Sequence, residues 1–382
     1  MSIQDDIQAE AANLGFSLFG ISSLETPPHY PVYERWLEQG RHAGMAYLAT
    51  PRARQRRSDP GQILPGGRSA LVLGIRYASP THLPAGTWEE GHGRVAAYAW
   101  GQDYHTVLPV KMDLLGVKLE HIFGHAVRKT AYTDTGPVLE RDFAQRAGLG
   151  WIGKNTNLIS RQHGSFFFLA EILVDVELEP GPAITSDHCG TCRRCIEACP
   201  TDCIQEDRTI DAGRCISYLT IENKGSIPSG LRPAIGNWIF GCDVCQAVCP
   251  WNLRFATLHS DDEAFEPHQE DIAAPHLLSE LRLSAQEFNR KFKHSPIQRA
   301  RRKGYLRNIS VALGNLRHPD AVPALSETLR AIDLPLVRAH AAWALGQINT
   351  TAARTALERA LPGEEDEAVI EEIKAALEQA GV

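Results

Sequence analysis

Cysteine spacing is the feature of this sequence that most clearly carries chemistry. All nine cysteines lie between positions 189 and 249 of a 382-residue chain. Four of them form the run Cys-x2-Cys-x2-Cys-x3-Cys, from Cys189 to Cys199, with Pro200 directly after it. In bacterial two-cluster ferredoxins the first three thiolates of such a run bind one [4Fe–4S] cluster and the fourth binds the other. The run therefore predicts a ferredoxin-like module with two interlocked clusters.

A second group of cysteines completes this module. The run Cys242-x2-Cys245-x3-Cys249-Pro lacks the usual first cysteine, which Cys215 can supply from an upstream loop. The predicted ligand sets are then Cys189, Cys192, Cys195 and Cys249 for one cluster, and Cys199, Cys215, Cys242 and Cys245 for the other. Cys203 is left over, and we expect it to be a small buried residue. Two zinc sites are the alternative, but zinc knots rarely combine this spacing with Cys-Pro endings.

Composition and charge limit the class of protein. The chain is 43% hydrophobic and 22% charged, with a net charge of −7, which argues against a generic nucleic-acid binder. Residues 1–6 lack the basic and apolar segments of a signal peptide. The most apolar run, Phe166–Val174, is short and contains Glu171, so it indicates a buried strand and not a membrane span. Clustered cysteines favour a reducing compartment, so we expect a cytoplasmic protein without membrane contact.

Alternating helix and strand patterns fill the region before the cysteines. Helices are predicted over 2–15, around Tyr33–Leu37, and over Asp103–Phe123 and Pro137–Ala147; strands are predicted over Phe16–Ile21, Ala70–Tyr77, Val127–Tyr132 and Phe166–Val176. Such alternation is typical of an α/β or α+β domain. Neither G-x-G-x-x-G nor G-x-x-x-x-G-K-[ST] occurs there, so a nucleotide site is unsupported.

The C-terminal region repeats itself. Ala312-Leu-Gly-Asn-Leu and Ala344-Leu-Gly-Gln-Ile are near copies, 32 positions apart. This period favours stacked HEAT-like helix pairs over a general helical bundle. Residues 290–307, which precede and enter the repeat, include eight basic residues and no acidic ones. The stripe could bind a polyanion, or it could be a solvated helix face.

Three further segments carry a resemblance to a known family. Residues Asp134–Ile159, Gly44-Met-Ala-Tyr-Leu and Trp100-Gly-Gln-Asp-Tyr-His resemble signature segments of the epoxyqueuosine reductases, and the likeness extends nearly end to end. That family uses cobalamin and two [4Fe–4S] clusters to reduce epoxyqueuosine to queuosine at the wobble position of tRNAs with GUN anticodons. The resemblance implies an α+β fold with three domains: an α/β-type cobalamin-binding catalytic domain (1–178), the two-cluster module (179–274) and a HEAT-like tRNA-docking domain (275–382). It also implies an external low-potential electron donor.

The resemblance assigns roles to individual residues. It implies that Asp134 is the proton donor, an acid that we expect to be buried with a raised pKa; a turn residue before a helix is the alternative. Expected cobalamin contacts are Arg57, Asp134, Asn155, Asn157, Ser160, Ser217, Tyr218 and Asp243, although loop capping would also explain the two asparagines and Ser160. Expected tRNA contacts are Lys224, Arg299, Arg301, Arg302 and Lys303.

The cobalt ligand and the overall activity leave alternatives. Asp103-Tyr-His105-Thr-Val-Leu108 approaches the D-x-H-x-x-G motif of proteins that bind cobalt through histidine, but it has leucine at the glycine position. We therefore expect no histidine ligand. Two other functions are open: a dehalogenase-like corrinoid reductase of a small molecule, and a ferredoxin-type electron carrier. A HEAT-like tail argues against the first and a long N-terminal domain argues against the second.

Overall fold

The computed structural model describes residues 2–80, 91–255, 259–268 and 271–379. These contain seventeen α-helices: α1 (Ile3–Asn13), α2 (Tyr30–Glu38), α3 (Pro51–Ser58), α4 (Tyr104–Phe123), α5 (Glu140–Arg146), α6 (Arg194–Glu197), α7 (Ile216–Ile221), α8 (Arg232–Ile235), α9 (Val244–Ala247), α10 (Pro250–Phe255), α11 (Leu277–Leu281), α12 (Ala285–Lys291), α13 (Arg301–Leu316), α14 (Val322–Ala331), α15 (Pro335–Ile348), α16 (Thr351–Ala360) and α17 (Glu367–Gln379). Their eight strands are β1 (Leu18–Ser23), β2 (Ser69–Arg76), β3 (Arg94–Val95), β4 (Lys129–Tyr132), β5 (Trp151–Ile152), β6 (Leu158–Ile159), β7 (Phe167–Val174) and β8 (Trp238–Phe240). None of the described helices is long and apolar enough to cross a membrane.

The main sheet has four strands in the order β1-β2-β7-β4, and every neighbouring pair is antiparallel. The sequence left α/β and α+β open, and the antiparallel pairing makes this region α+β. The central strands β2 and β7 consist almost wholly of buried residues. Phe143 and Ala144 of α5 join a core cluster with Val72 of β2 and Leu173 of β7, so α5 covers one face of the sheet.

Helix α5 begins later than its sequence pattern predicts. The predicted helix over Pro137–Ala147 is observed over Glu140–Arg146. The carbonyl of Gly136, which a longer helix would use internally, accepts a hydrogen bond from Arg57 Nη2 at 3.1 Å. Residues 134–139 therefore form a loop between β4 and α5, and this loop carries the predicted proton donor.

The C-terminal helices confirm the repeat. Helix α13 packs against α15, and α15 packs against α17. A Cβ atom on Gly314 would lie 2.9 Å from Ala344 Cα, and one on Gly346 would lie 2.8 Å from Ala376 Cβ. The two glycines of the repeated motif thus stand where successive helices approach most closely, which explains why the motif contains glycine.

The chain forms two compact units, each assembled from separate segments. One consists of Met1–Leu83, Trp100–Gly213 and Asp243–His268, and it includes the main sheet. The other consists of Pro84–Ala99, Arg214–Cys242 and Gln269–Val382, and it includes the helical repeat and a short parallel pair of β3 with β8. The boundaries of the three predicted domains stay a prediction.

Candidate active site and cluster ligands

The loop after β4 holds Asp134 in an unusual backbone conformation. Asp134 has a φ of 58°, in the left-handed region that non-glycine residues rarely adopt. The preceding Thr133 anchors the loop, since its hydroxyl donates to Leu169 O of β7 at 2.8 Å. The Asp134 N–H itself donates to Glu140 Oε1 at the start of α5. A backbone held in this strained region by its surroundings is a frequent property of functional residues.

Two side chains of α4 hold the carboxylate of Asp134. Tyr104 donates its hydroxyl to Asp134 Oδ2 at 2.8 Å, and His105 Nε2 lies 3.3 Å from the same oxygen. Asp103 caps α4 by accepting the N–H of His105 at 3.0 Å, and its Oδ1 also lies 2.8 Å from His105 Nδ1. The imidazole of His105 therefore stands between two carboxylates.

These contacts place the proton differently from the sequence-based expectation. Surrounding protein raises the pKa of Asp134, but the hydrogen bonds from His105 and Tyr104 outweigh this and leave it below the ordinary value. Burial alone would lower the pKa of His105, but Asp103 and Asp134 raise it to about 9. The expected buried acid with a raised pKa is thus wrong: the Asp134 side chain is 63% exposed, and the proton lies on His105.

Arginine side chains brace the two loops beside Asp134. Arg57 of α3, besides its bond to Gly136, donates to Ala53 O at 3.3 Å within its own helix. Arg141 of α5 donates to Thr156 O at 2.5 Å and to its hydroxyl at 3.1 Å. Arg57, which the sequence assigned to cofactor binding, thus lies at the Asp134 loop, and its role as a cofactor ligand stays a prediction.

The first predicted set of cluster ligands lies together in one unit. Burial raises the pKa of the Cys195 and Cys249 thiols, and negative charge on neighbouring thiols raises both further. The neighbours are Cys189 and Cys249 for Cys195, and Cys189 and Cys192 for Cys249. Trp151 donates its Nε1–H toward Cys189 Sγ at 3.5 Å. Binding to the iron of a cluster would favour the thiolate form of Cys195 and Cys249, which burial and the neighbouring thiols disfavour.

The second set is divided between the two units. Cys199 and Cys245 belong to one, whereas Cys215, the N-cap of α7, and Cys242 belong to the other. A hydrogen bond from Cys203 lowers the pKa of Cys199 to about 5, and their two Sγ atoms are 3.4 Å apart. Cys203 is 4% exposed, which confirms that it is buried. The sequence did not predict that Cys203 contacts the predicted ligand Cys199.

The remaining predicted cofactor contacts lie in well-ordered turns and caps. Asn155, 4% exposed, donates to Cys245 O at 3.3 Å and also accepts the N–H of Asn157 at the same distance. Ser160 accepts the N–H of Gln162, and Asp243, 3% exposed, accepts from Gln246. Ser217 and Tyr218 lie in the first turn of α7, in the other unit. Their cofactor contacts stay predictions.

The predicted tRNA contacts differ in whether their charged groups are already bonded within the protein. Lys224 donates to Ile221 O and Arg299 O, both at 2.7 Å, and Arg299 forms an ion pair with Glu222 at 2.7 Å. Arg302 is half-buried and donates to Leu283 O at 2.7 Å. Arg301 and Lys303 are exposed at the start of α13.

One member of the basic stripe cannot contact a polyanion at all. Arg307 is 0% exposed, and its guanidinium donates to Leu219 O, Asn223 O and Gly225 O at 2.6–2.7 Å. It stabilises the chain around α7. The view of residues 290–307 as one charged surface is therefore wrong at this position.

The carboxylate of Asp134 is accessible, so a cofactor or substrate could reach it. The side chain of Asp134 is 63% exposed although surrounding protein partly desolvates its carboxylate. Both nitrogens of His105 face carboxylates, and Leu108, at the position where the cobalt-binding motif has glycine, is 0% exposed within α4. The near-match to that motif is thus the start of a helix, and the absence of a histidine ligand to cobalt stays a prediction.

The fold and the cysteine module define an iron–sulfur oxidoreductase. Family models match three parts of the chain: a 4Fe-4S double cluster binding domain at 188–252, epoxyqueuosine reductase QueG, DUF1730, at 57–135, and HEAT repeats at 301–378. An epoxyqueuosine reductase of Pseudomonas aeruginosa is 41% identical over 336 residues, which cover 87% of this chain and 91% of that one. The chain belongs to the epoxyqueuosine reductase family.

Solved structures agree with this assignment. A crystal structure of epoxyqueuosine reductase with an epoxyqueuosine-modified tRNA-Tyr stem loop has a TM-score of 0.90 and 32% identity, covering 99% of this chain and 98% of that one. The enzyme from Streptococcus thermophilus has a TM-score of 0.89 and 29% identity, with both chains fully covered. The predicted two-cluster module, the HEAT-like repeat and the family resemblance are confirmed.

Sequence reasoning missed three residues at this site. Tyr104 and His105 lie 30 and 29 positions before Asp134 in the sequence, and only the fold brings them to its carboxylate. The sequence signal for both residues was the Trp100–His105 segment, which supported the family resemblance but gave neither residue a role. Glu140, bonded to the Asp134 N–H, stood unnoticed within the signature that begins at Asp134.

Proposed function

We propose that this chain reduces epoxyqueuosine to queuosine at the wobble position of tRNAs with GUN anticodons. The observation that carries the proposal is the exposed carboxylate of Asp134, held by Tyr104 and His105. The family membership and the tRNA-Tyr stem loop bound to a structure of 32% identity support the substrate. A chain that acts on tRNA and belongs to a family with oxygen-sensitive clusters is proposed to be cytoplasmic.

The residues of this chain supply binding and protons. Cobalamin would supply electrons for breaking the carbon–oxygen bonds, and the clusters would supply it with electrons from an external low-potential donor. Arg57, Asn155, Asn157, Ser160, Ser217, Tyr218 and Asp243 are the residues proposed to hold it. Removal of the epoxide oxygen as water consumes two electrons and two protons. Because Asp134 is ionised at rest and His105 carries the proton, Asp134 relays the first proton from His105 to the leaving oxygen.

Turnover of tRNA tests this function directly. Protein purified without oxygen and supplied with cobalamin and a chemical reductant is incubated with tRNA from a strain that accumulates epoxyqueuosine. The digested nucleosides are then separated and weighed by mass spectrometry. We expect a loss of one oxygen mass from the modified nucleoside, and no change when cobalamin is omitted. Reduction of a halogenated phenol with intact epoxyqueuosine would instead favour the small-molecule reductase.

A further inference from the structure

Glu171 is a carboxylic acid in the core of the main sheet. It is 0% exposed, and neither of its carboxylate oxygens has a hydrogen-bond partner among the described residues. The strand register places it between Val72 of β2 and Tyr132 of β4, on the same face as Leu169 and Leu173. An isolated charge in such surroundings is far more costly than a neutral acid, so Glu171 is held protonated.

Two other carboxyl groups act on Glu171. Burial raises its pKa well above the ordinary value, and the charges of Glu140 and Asp134 raise it further. Glu140 also has a raised pKa, because desolvation and the Asp134 charge outweigh the influence of Arg141 and Arg57. Its Oε1 accepts the N–H of Asp134. Glu171 thus lies opposite Tyr132, two residues before Asp134, and Glu140 bonds the Asp134 N–H, so all three acids are near the Asp134 loop.

We infer that Glu140 and Glu171 form a proton store behind Asp134 that supplies the second proton of the reaction. The inference rests on the proposed function. During turnover both carbon–oxygen bonds of the epoxide break, a carbon–carbon double bond forms, and the oxygen leaves as water with two protons. His105 lies on the α4 side of Asp134 and supplies the first proton through it. Glu140 and Glu171 lie on the α5 side and restore the second, so that Asp134 is recharged twice without waiting for solvent.

The cost of this residue to stability supports a role. An aliphatic side chain would fill the position beside Leu169 and Leu173 without any desolvation cost, so a carboxyl group here lowers stability. Because the folded pKa of Glu171 is raised, its ionisation does not affect stability below its ordinary pKa of 4.5, and the free energy of unfolding falls as pH rises from that value toward the folded pKa. Glu171→Gln should therefore unfold at a higher temperature than the parent protein at neutral pH, and the difference should grow with pH.

Infrared difference spectroscopy tests the stored proton without relying on turnover. The spectrum of the Glu171→Gln holoprotein is subtracted from that of the parent at neutral pH. We expect the carbonyl stretch of a protonated carboxylic acid in the parent alone, shifted in heavy water. Absence of this band would overturn the inference, since Glu171 would then be ionised. The band does not depend on the substrate, so a parent protein that fails to convert tRNA would refute the proposed function only.

Single-turnover kinetics tests delivery of the proton. With both clusters and cobalamin present in equal amounts, Glu171→Gln should slow product formation by about one to two orders of magnitude and increase the solvent isotope effect. Glu171→Asp, which keeps an acid, should recover part of the rate. The control is Glu177→Gln, which removes an exposed acid paired with Arg68 and should change nothing. Equal rates and isotope effects in parent and Glu171→Gln would make Glu171 an inert core residue.

Discussion

The imidazole of His105 lies 3.3 Å from Asp134 Oδ2 through Nε2, and its other nitrogen lies 2.8 Å from Asp103. A histidine between two carboxylates keeps its proton to high pH, whereas an aspartate that accepts from both Tyr104 and His105 loses its own. We therefore expect Asp134 to relay a proton that rests on its neighbour. The acid–base unit of this site is the pair, not the single carboxyl group.

The pH dependence of turnover should reveal this pair. The proton on His105 is lost as pH rises through about 9, so kcat/KM should fall through that value. Asp103→Asn keeps the cap of α4 but removes one negative charge, so the pKa of His105 should drop toward its ordinary 6.5. The alkaline fall should then begin nearer neutrality. A profile identical to that of the parent would show that His105 does not hold the proton.

Asp134→Asn should separate catalysis from binding. Asparagine keeps the size of the side chain and tolerates the left-handed conformation at φ 58°, but it cannot donate a proton usefully. We expect turnover to fall by about two to four orders of magnitude, with cobalamin, both clusters and tRNA still bound. Tyr104→Phe, which removes one hydrogen bond to the same carboxylate, should cost much less. Loss of cobalamin binding in Asp134→Asn would make Asp134 a cofactor-binding group.

Iron content should distinguish the two unusual cysteines. Anaerobically purified parent protein should contain about eight irons, four in each cubane. Cys215→Ala should lose one cluster and retain about four irons. Cys203→Ala is the matched control: its thiol lies 3.4 Å from Cys199 Sγ but is not assigned as a ligand, so both clusters should remain. A full iron count in Cys215→Ala with a loss of iron in Cys203→Ala would show that Cys203, and not Cys215, is the cluster ligand.

The features predicted correctly are those with local causes. Helix α4 was predicted from the apolar pattern over Asp103–Phe123, and the two-cluster module was predicted from cysteine spacing, so both could be recognised from the sequence. The assignment of individual cysteines to each cluster stays a prediction. The contact of Tyr104 with Asp134 depends on the fold and left no pattern. Glu171 was visible only as a charge that interrupts an apolar run. Arg307 was taken for a surface charge because burial by carbonyl groups from distant residues has no sequence signature.

Close helix packing in the repeat should make Gly314 sensitive to substitution. A Cβ atom there would lie 2.6 Å from Trp343 Cζ3 and 2.9 Å from Ala344 Cα, closer than packed atoms allow. Gly314→Ala should lower the free energy of unfolding by about 1–3 kcal/mol, measured by denaturant titration. Gly304→Ala in the same helix is the control, since the nearest atom would be 3.8 Å away. Its greater helix propensity should stabilise the protein slightly.

The salt dependence of tRNA binding should depend on two cations of α13. Arg301 and Lys303 are exposed, whereas Arg302 is bonded to Leu283 O, so only the first two are free to contact phosphates. Each phosphate contact adds about 0.7–0.9 to the slope of log affinity against log salt concentration, so removing two should flatten the slope by about 1.4–1.8 units. The Arg301→Gln, Lys303→Gln double variant, titrated with a fluorescent anticodon stem loop, tests this.

A matched variant separates local contact from net charge. Arg330 and Arg359 are exposed cations on the later repeat helices α14 and α16, and Arg330→Gln, Arg359→Gln removes the same two charges. If tRNA contacts the start of α13, this control should lower affinity only slightly and leave the slope within about 0.3 units of the parent, because charges far from phosphates are screened at physiological salt. Equal flattening in both double variants would mean that the repeat attracts tRNA through its overall field. No flattening in the first would make Arg301 and Lys303 a solvated helix end, and the anticodon stem would have to be held by other residues.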